Sequence, residues 1–296
     1  MVTALSLTEL KKSYGVVRAL DGLNLEVPEG VICGFIGPNG AGKTTTFGVA
    51  GGLIRPDSGQ VNILERGHLV AGREPGVFAM LPQDCELPPQ VPVQRFLEYL
   101  GRLQGLTAVE ARRAADQRLD EVALRDRATD TIKQLSHGMR RRVQIAQALL
   151  GDPKVILLDE PTSGLDPELV IRMRDLFVQQ RGHRTLVISS HNLRELEAVC
   201  DFVAFVHKGR CLKSGSLDEV TDRGTLLRYT VERSFDLAHL SASFPDLEIS
   251  AQGLVLTVRT AAPAWTAAKI NAAIVPVLLE REAGLLEIRA GQSLED

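Results

Sequence analysis

A glycine-rich loop at residues 37–44 follows an apolar run at residues 31–36. The loop fits the phosphate-binding pattern G-x-x-x-x-G-K-S/T, and the apolar run predicts a buried strand. Glycines let the backbone pass close to a triphosphate, so that consecutive N–H groups point inward. The helix that starts near Lys43 presents its positive end to the same anion. We therefore predict a strand, a phosphate loop and a helix that together hold a nucleotide.

The phosphate loop assigns a role to each polar side chain at its end. Lys43 is expected to reach the β- and γ-phosphates, and the Thr44 hydroxyl to bind Mg²⁺, which needs only one or two protein oxygens. An ordinary glycine-rich turn is disfavoured, because the pattern arises by chance in roughly one chain in a hundred of this length. The predicted nucleotide-binding residues of the loop are Gly37, Pro38, Asn39, Gly40, Ala41, Gly42, Lys43, Thr44 and Thr45.

Composition restricts the class of protein. The formal net charge of −3 shows no basic excess, so it gives no support to nucleic-acid binding. The four cysteines are scattered without C-x-x-C spacing, which predicts reduced thiols and a cytosolic location. No segment has the ~18 apolar residues of a membrane helix, and the N-terminus lacks a signal-peptide pattern. If membranes matter to this protein, we expect another polypeptide to span them.

Polar side chains follow several apolar runs at the point where each run ends. Gln83 comes after residues 76–81, Asp159 and Glu160 after residues 155–158, and His191 after residues 185–188. Such runs are typical of strands buried on both faces of a parallel sheet. In an open α/β sheet the ligand lies beyond the carboxyl ends of the strands. We therefore expect these side chains to meet the phosphate loop at one site.

The remaining segments predict two further parts. Residues 84–149 have helical character and are interpreted as a helical insertion. After about residue 220, short strands at 227–231, 254–258 and 285–288 surround two helical stretches, of which the longer contains Pro276. The predicted domains are 1–222, with the helical part at about 84–149, and a small α+β domain at 223–296.

Two motifs name a family. The run Leu135-Ser136-His137-Gly138-Met139 resembles the signature loop of ABC ATPases, and the strand ending in Asp159-Glu160 resembles their Walker B strand. The resemblance covers residues from about 5 to 220, with the motifs in family order. The other matched elements are Tyr14 as the A-loop aromatic residue, Gln83 as the Q-loop glutamine, Ser163–Asp166 as the D-loop and His191 as the switch histidine.

The resemblance implies a fold and an activity. The fold is a P-loop NTPase (RecA-like) α/β core with an N-terminal antiparallel β part and a helical subdomain, followed by the small C-terminal α+β domain. The arginines after the signature, the C-terminal extension and the ending Ser293–Asp296 resemble the ATP-binding subunit of ABC-2-type exporters. The implied partners are a second ATPase subunit in a head-to-tail homodimer and a separate transmembrane permease. The implied location is the cytoplasmic face of the cell membrane.

The family pattern also implies the roles of the site residues. Lys43, Gln83, Glu160 and His191 are the expected catalytic set, in which Glu160 acts as general base or orients the attacking water. The expected Mg²⁺ ligands are Thr44, Gln83 and Asp159, the last through water. Tyr14 is expected to stack on adenine, and Ser136, Gly138 and Asp166 to complete the ATP site across the dimer.

Taken alone, several of these residues allow plainer interpretations. Tyr14 could be a half-buried core tyrosine, Gln83 a loop amide, and the two carboxylates a solvated strand end. Arginines at 140–142 stand near the positive end of a helix predicted from His137, which is unfavourable unless an anion lies opposite. A solvated basic face is the alternative. His137 replaces the family's usual glycine and is expected to point away from phosphate.

Three functions are compatible with these motifs. The leading one is an ATPase subunit of an exporter, with residues 84–106 as the groove that receives the membrane partner. The alternative is a soluble ABC ATPase acting on ribosomes or DNA, but such proteins usually join two nucleotide domains or carry coiled coils or zinc modules. A third is a nucleotide-dependent regulator with a C-terminal ligand sensor. Because no charged pocket pattern marks that region, a role in dimer stabilisation or regulation is preferred.

Overall fold

The structure is a computed structural model that describes residues 2–67, 76–190, 193–221, 226–233, 237–260 and 265–291. Residue contacts divide the chain into a first unit, Met1–Gly215, and a second unit, Ser216–Asp296. Three features predicted from the sequence lie outside the described residues: His191, the boundary expected between residues 222 and 223, and Ser293–Asp296.

Strands and helices alternate through most of the first unit. Two short 3₁₀ turns, Arg125–Arg127 and Ile132–Gln134, lie within its helical part. In chain order the elements up to residue 216 are β1 (Thr3–Tyr14), β2 (Val17–Pro28), β3 (Ile32–Ile36), α1 (Lys43–Ala50), β4 (Ser58–Ile63), β5 (Phe78–Leu81), α2 (Val93–Leu103), α3 (Ala108–Glu121), α4 (His137–Leu149), β6 (Val155–Asp159), α5 (Pro167–Val178), β7 (Thr185–Ser190), α6 (Leu193–Glu197), β8 (Phe202–His207) and β9 (Arg210–Ser216).

A six-stranded sheet with the order β5-β6-β7-β3-β8-β9 forms the centre of the first unit. The strands from β5 to β8 pair in parallel. Every residue of β3, β6 and β7 is buried, as expected for strands that are covered on both faces. Because the strands are parallel, the phosphate loop after β3 and the carboxylates at the end of β6 lie at the same edge of the sheet.

A second sheet, with the order β2-β1-β4, is antiparallel. Leucines on β1 and β2 pack into the same core as the central sheet, where the rings of Phe35 and Phe47 lie 5.4 Å apart. Strands β1 and β2 form a hairpin in which Tyr14 pairs with Val17, and Gly15 in the turn has a φ of +59°. The hairpin therefore places Tyr14 at its tip.

Three helices, α2, α3 and α4, pack together. In the chain they lie between strands β5 and β6 of the central sheet. Small residues permit a close approach of α2 and α3, since a Cβ on Gly101 would lie 3.2 Å from the Cβ of Ala111. A capping box fixes the start of α3, because the Thr107 side chain accepts from the Glu110 N–H and Glu110 accepts from the Thr107 N–H.

The second unit is a four-stranded antiparallel sheet with helices packed on it. The sheet has the order β11-β12-β10-β13. Its core contains Tyr229, whose hydroxyl donates to Asn271 Oδ1 at 2.8 Å, together with Ile270 and Ile274 of a helix that includes Pro276. The elements are α7 (Leu217–Val220), β10 (Leu226–Val231), α8 (Ala238–Ser243), β11 (Glu248–Gln252), β12 (Val255–Arg259), α9 (Ala267–Glu280) and β13 (Leu285–Ala290).

The predicted fold class is confirmed: an α/β core, an antiparallel N-terminal part, a helical part and a small α+β part all occur. None of the helices in the described part of the chain combines the length and apolar character that a membrane span requires.

Candidate active site

The phosphate loop joins β3 to α1, and its glycines are required by the surrounding backbone. A Cβ on Gly37 would lie 2.3 Å from the carbonyl oxygen of Val206. Gly42 has a φ of +102°, and a Cβ there would lie 2.6 Å from the carbonyl oxygen of Ala19. A side chain at either position would push the loop away from its neighbours, which explains why the pattern needs glycine at both.

The N-terminus of α1 is arranged to face an anion. Gly42 is the N-cap, it supplies no side chain to bond the first N–H groups, and the first turn contains no acidic residue. The first N–H groups of a helix lack intrahelical acceptors and carry the positive end of the dipole. A phosphate group is a suitable acceptor for them.

Lys43 is buried, with its ammonium group held over the loop. Its Nζ donates to the carbonyl oxygens of Gly37 at 2.7 Å and Pro38 at 3.3 Å. An ammonium group has three donors, so a third N–H can point to a ligand. The positive charge of Lys43 therefore stands where the loop would hold phosphates.

The turn between β8 and β9 supports the phosphate loop from behind. The Gly209 N–H donates to the Ala41 carbonyl oxygen at 2.9 Å, and the Gly209 carbonyl oxygen accepts from the Asp21 N–H at 2.9 Å. A Cβ on Gly209 would lie 2.5 Å from the Ala19 carbonyl oxygen. The turn thus joins β2 and the phosphate loop through backbone hydrogen bonds.

Three oxygen-bearing side chains stand beside the loop in an arrangement that suits Mg²⁺. The hydroxyl of Thr44 lies 3.4 Å from Oε1 of Gln83. Asp159 is fully buried; its Oδ1 accepts from the Ser189 hydroxyl, and its Oδ2 has no hydrogen-bond partner among the described residues. An unpartnered buried carboxylate oxygen is unfavourable unless a cation meets it. This donor set of hydroxyl, amide and carboxylate oxygens fits a hard divalent cation.

Glu160 has a backbone held from both sides. Its φ is +50°, which lies in the left-handed region that side chains other than glycine rarely occupy. Its N–H donates to the Ser189 hydroxyl at 2.9 Å, and its carbonyl oxygen accepts from Arg141 Nη2 at 2.9 Å. Strain of this kind persists only where neighbouring contacts enforce it, and it occurs most often at functional sites.

One cavity of about 580 Å³ brings most of the predicted residues together. The volume lies within the range of small-molecule pockets. Tyr14, half exposed at the hairpin tip, stands at one end with the ammonium of Lys12 5.5 Å from its ring centre. The lining residues are Tyr14, Val17, Arg18, Ala19, Asn39, Gly40, Gly42, Lys43, Thr44, Thr45, Gln83, Asp159, Glu160 and Ser163.

A second set of predicted residues does not line this cavity. Ser136 is the N-cap of α4 and accepts from the Met139 N–H at 3.2 Å, while Asp166 is the N-cap of α5. A Cβ on Gly138 would lie 3.5 Å from the Leu165 side chain. The signature loop and the D-loop of one chain therefore lie against each other. Of these two loops, Ser163 reaches the cavity, whereas Ser136, Gly138 and Asp166 do not line it.

Two of the arginines after the signature are buried, which was not predicted from the sequence. Arg141 and Arg142 do not form a solvated basic face, because both are buried, and the carboxylates of Asp159 and Glu160 lie near Arg141. Arg142 donates to the carbonyl oxygens of Val122 and Ala123, both at 2.8 Å. Arg142 lies on the same face of α4 as Ala146 and Leu149. The 3.6-residue period of a helix therefore predicts that Arg142 is buried.

Sequence reasoning also missed Ser189, which contacts both carboxylate residues. Ser189 lies on β7 directly beside Asp159 on β6, and the parallel register brings its hydroxyl to Asp159 Oδ1 and to the Glu160 N–H. A polar residue at the end of an apolar strand was the available signal. Arg18, near the start of β2, was missed as well, and Ser163 was predicted only as part of the D-loop.

Comparison with known families gives one matching family model. Residues 20–163 match the model described as ABC transporter. This range contains the phosphate loop, Gln83, the signature loop and the carboxylates at the end of β6.

Curated relatives cover about three quarters of the chain. The daunorubicin resistance ATP-binding protein of Streptomyces coeruleorubidus is 38% identical over 74% of this chain and 70% of its own length. The bacitracin transport ATP-binding protein of Bacillus licheniformis is 36% identical over 75% and 73%. The Nod factor export ATP-binding protein of Paraburkholderia xenovorans is 35% identical over 72% and 71%.

Solved structures show the same fold. A dimeric ATP-binding cassette in a post-hydrolysis state, bound to ADP and phosphate, is 25% identical and has a TM-score of 0.66 over 72% of this chain and 98% of its own. An ATP-binding subunit of an ABC transporter is 30% identical with the same TM-score of 0.66, over 75% of this chain and 93% of its own.

Proposed function

The chain belongs to the ABC transporter family as an ATP-binding subunit with ATPase activity, and from that premise we propose that it drives an exporter through a separate membrane-spanning permease. One observation carries the proposal: Tyr14, the phosphate loop, Gln83, Asp159 and Glu160 line a single cavity. The relatives named for resistance or export support transport out of the cell over action on ribosomes or DNA.

The proposed hydrolysis follows from the charges around the cavity. Lys43 and the N-terminus of α1 bind the β- and γ-phosphates, and the aromatic ring of Tyr14 stacks on adenine. Glu160 accepts a proton from the attacking water while the oxygen of that water forms a bond to the γ-phosphorus. The bond from that phosphorus to the β–γ bridging oxygen breaks, so that ADP and phosphate leave.

The proposed Mg²⁺ ligands are Thr44 and Gln83 directly and Asp159 through water. The close pair of Thr44 and Gln83 oxygens and the unpartnered Asp159 Oδ2 support this assignment. When bound, Mg²⁺ would stabilise the negative charge on the transferred phosphoryl group. Ser189 positions Asp159 by donating to its other oxygen.

The site is proposed to be completed by a second subunit. Ser136 and Gly138 lie at the exposed N-terminus of α4 and do not line the cavity of their own chain. In a head-to-tail dimer, this helix end of one subunit faces the γ-phosphate held by the other, and Asp166 lies beside it. The dimeric state of the ADP-bound cassette with the same fold supports this arrangement. His191 is the proposed switch histidine on the basis of its motif alone.

The proposed docking surface for the permease is the outer face of α2, in the segment that follows Gln83 in the chain. One face of α2 is buried through Val93 and Leu97, whereas Tyr99 and Leu103 are 63% and 60% exposed. Large exposed apolar side chains on one face of a helix are suited to a protein partner. The subunit would then lie on the cytoplasmic face of the membrane. Residues 223–296 are proposed to stabilise or regulate the dimer.

Co-purification tests this proposal. The tagged chain is isolated from detergent-solubilised native membranes, and the proteins that stay bound are identified by mass spectrometry. We expect a stoichiometric protein with about six apolar spans. Recovery with ribosomal or DNA-repair proteins alone would instead support the soluble alternative.

Matched variants make the test specific to α2. The double variant Tyr99→Ser and Leu103→Ser should lose the permease yet still bind ATP. Val109→Ser, at a site 79% exposed on α3, removes a similar apolar side chain and should keep the permease. Equal retention of the permease by both variants would contradict docking on α2.

A further inference from the structure

Arg141, the fifth residue of α4, is 5% exposed, and each nitrogen of its guanidinium group donates a hydrogen bond. The acceptors come from two separate chain segments and from Gln144 on the same helix. The bonds are Nε to Pro161 O at 3.2 Å, Nη2 to Asp159 O at 2.6 Å and Glu160 O at 2.9 Å, and Nη1 to Gln83 O at 3.2 Å, Pro82 O at 3.4 Å and Gln144 Oε1 at 3.0 Å.

The charge of Arg141 is balanced mainly by backbone dipoles. Within the described chain, the acceptors of its hydrogen bonds are carbonyl and amide oxygens, and burial lowers the pKa of its guanidinium below the usual value. The nearby carboxylates of Asp159 and Glu160 favour the charged form. A planar fork with five donors can bond several acceptors on both segments at once, whereas an ammonium group has only three donors.

On one side, Arg141 holds the backbone at the end of β6. Three consecutive carbonyl oxygens, those of Asp159, Glu160 and Pro161, converge on one guanidinium. Consecutive carbonyls of an extended strand point in alternate directions, so this convergence needs a turn in the backbone. The φ of +50° at Glu160 provides that turn, and Ser189 fixes the Glu160 N–H from the other side.

On the other side, Arg141 holds the backbone that carries Gln83. It bonds the carbonyl oxygens of Pro82 and Gln83, while Gln144 Nε2 donates to the Cys85 carbonyl oxygen at 2.5 Å. Two side chains of α4 thus fix residues 82–85 with the Gln83 side chain beside Thr44. This segment leads directly towards α2.

We propose that Arg141 is a positioning residue that ties the Gln83 segment to the Glu160 backbone, so that movement of residues 82–85 also moves the carboxylate of Glu160. The proposal rests on the proposed roles of Gln83 and Glu160 in hydrolysis. Arg141 itself does not line the nucleotide cavity. It acts through the backbone of both residues, and thereby makes hydrolysis sensitive to whatever binds next to α2.

The test compares two neighbouring arginines in the purified full chain. Arg141→Gln removes the link, and we expect kcat to fall about tenfold or more with the KM for ATP within about threefold, because misplacement of a reacting group affects turnover more than binding. Arg142→Gln is the matched control, since Arg142 is also buried in α4 but bonds only Val122 and Ala123 among the described residues. Its kcat per folded molecule should stay within about twofold of wild type. Equal losses of kcat in the two variants would overturn the proposal.

Hydrogen exchange supplies a readout that a general loss of stability does not reproduce. In Arg141→Gln, peptides containing residues 82–85 and 159–163 should both exchange faster, while the peptide with the phosphate loop stays unchanged. If Arg141→Gln does not fold, Arg141→Lys keeps the charge and should show an intermediate kcat with the same paired change in exchange. Faster exchange of only one segment, or of neither, would contradict the link.

Glu160→Gln separates failure of this proposal from failure of the proposed function. If Glu160→Gln is inactive and Arg141→Gln turns over at the wild-type rate, Arg141 has no positioning role. If Glu160→Gln keeps its activity, the assigned role of Glu160 fails, and the proposal fails with it.

Discussion

Replacing Ser189 by alanine should both destabilise the first unit and impair Mg²⁺-dependent hydrolysis. Ser189 is fully buried; it donates to the Asp159 carboxylate and accepts from the Glu160 N–H. A hydrogen bond to a charged group contributes about 1.5–3 kcal/mol and a neutral one about 1 kcal/mol, so the variant should lose about 2.5–4 kcal/mol of unfolding free energy. For a unit of this size, that loss lowers Tm by about 10 °C.

Thr185→Val is the matched control on the same strand. Thr185 is equally buried at the start of β7, and its hydroxyl accepts from the Gly30 N–H at 2.9 Å, away from the carboxylates. Loss of this hydrogen bond should lower the free energy of unfolding by about 1 kcal/mol and Tm by about 3 °C. Thermal unfolding followed by calorimetry compares the two variants. A Tm drop in Ser189→Ala no larger than that in Thr185→Val would refute the reasoning.

The catalytic part of the same prediction uses Mg²⁺ as the probe. Without Ser189, Asp159 loses the donor that orients its carboxylate, and an outer hydrogen bond of this kind affects metal affinity about 10–100-fold. ATPase activity of Ser189→Ala, measured against Mg²⁺ concentration, should therefore need at least about tenfold more Mg²⁺ for half-maximal rate. Thr185→Val should match wild type, and an unshifted Mg²⁺ curve in Ser189→Ala would remove Ser189 from the site.

Three further substitutions test the site. Glu160→Gln should bind ATP normally, turn over about 100-fold more slowly or worse, and accumulate as a dimer by light scattering, whereas an unchanged steady-state rate would exclude Glu160 from catalysis. Tyr14→Ala should weaken ATP binding by about 1–3 kcal/mol and GTP binding by a similar amount, since stacking discriminates little between bases; a loss confined to ATP in a binding titration would contradict simple stacking. Gly42→Ala should abolish ATP binding in the same assay, because the φ of +102° and the Ala19 carbonyl oxygen leave no room for a methyl group.

Much of the central sheet could be predicted because its strands are far more apolar than the segments that flank them in the chain. The run at residues 155–158 is apolar without interruption and ends at two carboxylates, and β6 spans Val155–Asp159. A strand covered on both faces needs such a run, so composition alone reveals it. Gln83 follows β5, and Thr44 follows the loop after β3. Because both strands belong to one parallel sheet, the two residues are expected at the same edge, where the structure places them side by side.

The arginines of α4 show what the sequence could not provide. An arginine is most often exposed, and only the tertiary structure reveals that carbonyl oxygens from two distant segments surround Arg141. Ser189 is similar, because its role depends on the register of β7 against β6, which no local pattern specifies. Residues that act through the backbone of others are therefore the ones that sequence reasoning misses.

The position of β3 in the central sheet has a consequence for how the chain folds. β3 lies between β7 and β8 in the sheet, but residues 37–184 separate it from β7 in the chain, and β8 comes later still. During synthesis the hairpin of β1 and β2 can pair early, but β3 has no neighbouring strand until β7 and β8 have left the ribosome. Long-range parallel pairing of this kind is slow and exposes apolar strands in the meantime. The phosphate loop that follows β3 therefore acquires its ATP-binding geometry only when synthesis of the first unit is almost complete.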